Sequence, residues 1–72
     1  MIIDELKAGD IFTDPGETKV KVESLTQDNN EVRCNLRRIE GQVKGSSYIH
    51  FFKITPDGKI DLKDCTDFVP KR

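Results

Sequence analysis

The sequence predicts a mostly β fold: five short antiparallel strands curled into a small barrel or meander sheet, with one short helical turn at the N-terminus. Three observations lead there. Lys19-Val20-Lys21-Val22-Glu23 alternates valine with charge at period two, the pattern of a strand with one face buried. Turn-forming clusters recur at short intervals, at Asp14-Pro15-Gly16-Glu17, Gln27-Asp28-Asn29-Asn30 and Thr55-Pro56-Asp57-Gly58, which is the punctuation of an all-β domain. The 72 residues include 20 Val, Ile, Leu and Phe, enough for one hydrophobic core and one domain spanning 1–72.

Each element follows from its residues. Ile2, Ile3 and Leu6 fit one helical turn, with Gly9 placed where a helix end favours positive φ. Asp10-Ile11-Phe12-Thr13 then reads as a short strand, ending in Asp14-Pro15-Gly16-Glu17, where Pro at the second and Gly at the third position favour a type II turn. The valine strand from Lys19 reverses at Gln27-Asp28-Asn29-Asn30, and its partner points Val32, Cys34 and Leu36 inward with Arg33, Asn35 and Arg37 outward. Arg38 breaks this alternation, so a bulge or the strand end is expected near Arg37-Arg38. Residues 40–47 hold Gly41, Gly45, Ser46 and Ser47 around one apolar residue, Val43, and form the longest connection.

Tyr48-Ile49-His50-Phe51-Phe52-Lys53-Ile54 is apolar on both faces except at His50 and Lys53, which suits a central strand or one with an exposed aromatic face. Thr55-Pro56-Asp57-Gly58 signals a bulged hairpin, with Ile60 and Leu62 on the return. The tail is ambiguous: Leu62, Cys65 and Phe68 fit helical spacing, while Phe68-Val69 before Pro70 fits an edge strand. The opening Leu6-Lys7-Ala8-Gly9-Asp10-Ile11-Phe12, followed by a meander, resembles the entry to many SH3-like small barrels, in which a Gly-Asp pair leads into the first strand. That resemblance covers few residues and implies a fold without implying an activity.

Charge is polarised along the chain. Residues 1–31 carry eight acids and three bases, residues 32–53 one acid and five bases, and residues 54–72 four of each. The net charge of −1 excludes a protein that holds nucleic acid merely by being basic. Met1-Ile2-Ile3 runs at once into Asp4 and Glu5, without the pattern of a signal peptide, and no stretch reaches membrane-spanning length. A cytoplasmic setting with no membrane partner is therefore expected, with Cys34 and Cys65 as free thiols.

Catalytic chemistry has little to work with. A nucleophile would have to come from Cys34 or Cys65 with the single histidine, His50, and no local motif joins them. Asp57, Asp61, Asp64 and Asp67 are interleaved with Lys59 and Lys63 as in a solvated segment, and lack the order of a calcium loop. Metal ligands are scattered singly, so neither a metal nor any other cofactor is expected, and no enzyme activity.

One constellation remains: Arg33, Arg37 and Arg38, Lys44 in the loop, and Tyr48, His50, Phe51 and Lys53 on the next strand. Arginine and tyrosine at a patch centre anchor protein interfaces. The expectation is a non-catalytic accessory or adaptor domain binding a protein partner through residues 33–53, a second copy of itself included as a homodimer. Arg33, Arg37 and Arg38 would supply charge and bidentate hydrogen bonds, Lys44 the adaptable loop, and Tyr48 with Phe51 a flat contact face. Basic side chains interleaved with aromatics also suit single-stranded nucleic acid, RNA or DNA, which is the alternative reading. Against both stands a plain structural role, with Arg33 and Arg37 paired to Glu23 or another acid across the sheet.

Overall fold

The computed structural model describes residues 1–71. It contains seven strands, β1 (Ile2–Ile3), β2 (Ile11–Thr13), β3 (Lys19–Asp28), β4 (Glu31–Arg38), β5 (Ser47–Ile54), β6 (Ile60–Asp61) and β7 (Thr66–Val69). They form one antiparallel sheet in the order β1-β6-β5-β4-β3-β2-β7, curled into a half-barrel. No helix among the described residues is long and apolar enough to cross a membrane.

Two short strands add to the five expected. The N-terminal residues do not form a helical turn: Ile2 and Ile3 pair with Asp61 and Ile60, because a lone turn gains one hydrogen bond for three ordered residues, whereas a ladder already in place is extended cheaply. At the other end Thr66–Val69 pairs with β2 and resolves the ambiguous tail as an edge strand. β1 and β7 are the two ends of the order, so the barrel is not closed.

The turns follow their residues with one difference. Gly16 does not take the left-handed conformation. Glu17 does, at φ 64°, and the Glu17 amide donates to the Asp14 carbonyl at 2.9 Å, so this reversal is a type I turn followed by a bulge residue rather than type II. At residues 55–58, Gly58 at φ 83° takes that bulge position as expected, with its amide donating to Thr55 at 2.9 Å. The connection after β4 is tied to itself: the Gly45 amide donates to the Arg38 carbonyl and the Arg38 amide to Ser46, both at 2.8 Å.

Alternation sets the core. Val20 and Val22 of β3, Val32, Cys34 and Leu36 of β4, and Phe52 of β5 are buried, joined by Phe12, Leu62, Leu6, Ile60 and Cys65. Phe12 meets Phe52 edge to face at 6.0 Å, which links β2 to β5 across the curl. The register shift lies in β3, between Val22 and Ser24, and not in β4. It moves the inward positions from even to odd numbers, so that Leu25 packs against the core, and a bulge also bends the sheet. In β4 the strand simply ends at Arg38.

Candidate functional site

The alternation that buries Cys34 and Phe52 divides the expected binding residues between two faces. On the outer face, β4 and β5 bring Arg33 opposite Phe51, Asn35 opposite Ile49, and Glu31 opposite Lys53. Phe51 is 53% exposed and Ile49 49% exposed. Two residues apart on one strand, they make a continuous apolar strip. Its surroundings are polar: Arg33, Arg37, Lys53, Ser47 and Asn35, whose amide donates to Ser24 Oγ at 2.7 Å.

The cations of this face differ in their engagement. Arg37 Nη2 lies 3.2 Å from Glu23 Oε2, the cross-strand pairing that the sequence offered as its structural role. Arg33 has no ion pair among the described residues. Lys53 sits in register between Glu31 of β4 and Asp61 of β6. Arg33 therefore brings its fork of donors, unspent by any ion pair, directly beside Phe51.

Arg38, Tyr48 and His50 lie on the core side instead, so Tyr48 and Phe51 do not share a flat face. The Arg38 guanidinium stacks over the Tyr48 ring at 4.3 Å, and its Nη1 donates to Ser46 Oγ at 3.1 Å. The Tyr48 hydroxyl donates to Asp14 Oδ2 at 3.0 Å, tying β5 to the turn after β2. Burial, and secondarily this bond, raises the Tyr48 pKa and keeps the phenol protonated. His50 packs on Phe52 at 4.4 Å between ring centres. Burial, with Lys63 nearby, lowers its pKa, so it is neutral near pH 7. Lys44 is exposed in the connection between β4 and β5, apart from the strip.

The thiols are buried and free. Burial pushes Cys34 up to about 12 and Cys65 up to about 11, the opposite of an activated nucleophile. No cluster of three His, Cys, Asp or Glu side chains able to hold a metal ion occurs among the described residues, nor does any cavity.

The most buried charge lies outside the expected set. Asp10 is 0% exposed. Its Oδ2 accepts the Lys7 amide and its Oδ1 the Lys71 amide, each at 2.7 Å. Gly9 beside it has φ +100°, and the Lys71 side chain fills the place a Cβ would take. The Gly-Asp pair was the visible signal for this clasp, whereas its partner Lys71, 61 residues away, had none. Compared with protein-family models, with curated proteins and with solved structures, the chain matches none.

Proposed function

We propose that this protein is a small non-catalytic accessory domain that binds a protein partner through the outer face of β4 and β5. The observation that carries the reading is the strip of Ile49 and Phe51, each about half exposed, set against Arg33 and ringed by polar side chains. Large apolar groups left in water on a chain this short have no use in its own core, and an apolar centre with an arginine and a polar rim is the anatomy of a protein interface. Arg33, without an ion pair among the described residues and beside Phe51, favours a partner with an apolar centre and an acid at its rim, whereas Arg37 is held by Glu23 and Lys53 lies in register between Glu31 and Asp61.

The nucleic-acid alternative has less support. Stacking on successive bases needs several aromatic faces, and Phe51 is the one exposed aromatic among the described residues, with Tyr48 engaged by Asp14 and Arg38. Two free, buried thiols fit a reducing, cytoplasmic setting.

The test compares three immobilised proteins: the wild type, Arg33→Ala with Phe51→Ala, and Tyr48→Phe as an opposite-face control. A protein retained by the wild type and the control but released by the double variant, with the amide spectrum of the variant still dispersed, is the expected result. Retention of the same proteins by all three, or salt-reversible amide shifts at Arg33 and Phe51 with a mixed-sequence single-stranded oligonucleotide, would overturn it.

A further inference from the structure

β5 is longer than its second neighbour. It pairs with β4 from Ser47 to Lys53, yet with β6 only at Lys53 and Ile54. β6 then stops and the chain turns at Lys63, left-handed at φ 51°. Residues 47–52 are thus paired on one side alone among the described residues, in the middle of the strand order rather than at its end. An unpaired strand edge displays a row of backbone donors and acceptors that another extended backbone matches.

We infer that this edge is a slot for strand addition, in which an extended segment of a partner protein pairs with residues 47–52 of β5. The pairing rests on the reading of Ile49 and Phe51 as a binding surface, and it specifies how the partner is held. Side chains of an added strand alternate between faces, so every second one would lie beside Ile49 and Phe51, both half exposed. Main-chain bonds then supply affinity and the apolar strip supplies selectivity.

Geometry and charge narrow the occupant. The slot is blocked at Lys53 by Asp61 of β6 and is open beyond Ser47. A second copy pairing β5 with β5 symmetrically about His50 would bring its Ser47, and the connection before it, onto the place of Asp61. A short linear segment that ends or turns away at that point fits. Of the cations on this face, Arg37 is held by Glu23 and Lys53 lies in register between Glu31 and Asp61, whereas Arg33, on the strand adjoining residues 47–53, has no ion pair among the described residues. The occupant is therefore a segment with apolar residues at alternate positions and an acid on that same face to meet Arg33. The other free edges suit it less: β1 has two residues, β7 is interrupted by Asp67 at φ 53° and followed by Pro70, and residues 23–28 of β3, unpaired on the β2 side among the described residues, carry Glu23 and Asp28 and no base.

The probe is a random heptapeptide library displayed on phage and selected on the intact protein. Enriched peptides are expected to carry apolar residues with at least one acid among the alternate positions of a single face, the one that meets Ile49, Phe51 and the Arg33 side of the sheet, and to shift the amides of residues 47–52. In such a peptide, N-methylation at every second residue should abolish binding, while N-methylation at the residues between should leave it within about twofold, since only alternate amides point at β5. Peptides that bind at Ile49 and Phe51 but tolerate N-methylation throughout would overturn strand addition and leave the outer-face reading standing. No enrichment on the wild type relative to an Ile49→Lys, Phe51→Lys variant would overturn both.

Discussion

Asp10 gives the sharpest test of how the fold is held. Its carboxylate is wholly buried and accepts two backbone amides, of Lys7 and of Lys71, at 2.7 Å. Asp10→Ala leaves both donors without a partner, and a buried unsatisfied donor costs about 1–3 kcal/mol. Lys71 lies near the chain end and can lift into water, so its share is about 1 kcal/mol. Lys7 is fixed by the turn whose other bond runs from the Asp10 amide to the Lys7 carbonyl, so its share is about 2–3 kcal/mol. The sum, about 3–4 kcal/mol, is a large part of the roughly 4–11 kcal/mol expected for a domain of this length. Asp10→Asn keeps one acceptor oxygen but opposes a donor to the other amide, and should cost about 2 kcal/mol. Urea denaturation followed by far-UV circular dichroism measures both, and exchange of the Lys71 amide reports the clasp directly. An Asp10→Ala loss under about 1 kcal/mol, with Lys71 still protected, would refute the reasoning.

Two further outcomes follow from the same packing. The Cys34 pKa is raised from about 9.0 to about 12 by burial, so the folded state prefers the thiol: its contribution is complete below pH 9 and declines as pH rises toward 12, by up to about 4 kcal/mol at about 1.4 per unit. Denaturation midpoints should fall across that window and fall less in Cys34→Val, while Ellman's reagent at neutral pH labels the native protein slowly. Tyr48→Phe removes the bond to Asp14 Oδ2, but Asp14 Oδ1 still accepts the Thr18 amide at 2.9 Å. A loss of about 1 kcal/mol in urea is expected, and a loss above about 3 kcal/mol would mean that the bond does more than join β5 to the turn.

Much of the architecture was legible because it rests on local chemistry. Val20 and Val22, then Val32, Cys34 and Leu36, announced a half-buried hairpin through period two alone, and Gly58 announced the turn between β5 and β6. The helical reading of Ile2 to Leu6 failed because two residues of strand look like nothing in isolation and exist through Asp61 and Ile60, far along the chain. For the site, composition identified Arg33, Arg37, Phe51 and Lys53 on one strand pair, but grouped them with Arg38, Tyr48 and His50. Consecutive residues of a strand face opposite ways, and Tyr48 with Phe51 differ by an odd number. Asp14, which engages Tyr48 from 34 residues away, carried no sequence mark beyond its turn.

The central claim is that the Arg33, Ile49 and Phe51 face engages a protein. Its most direct test is an amide spectrum of the ¹⁵N-labelled protein recorded in buffer and then in a concentrated, nuclease-treated lysate of the cells that make it. Selective broadening at Arg33, Ile49 and Phe51, relieved in Arg33→Ala with Phe51→Ala, is the predicted result. Signals that stay sharp there, or broaden first at residues 66–69 or around Lys44, would contradict it.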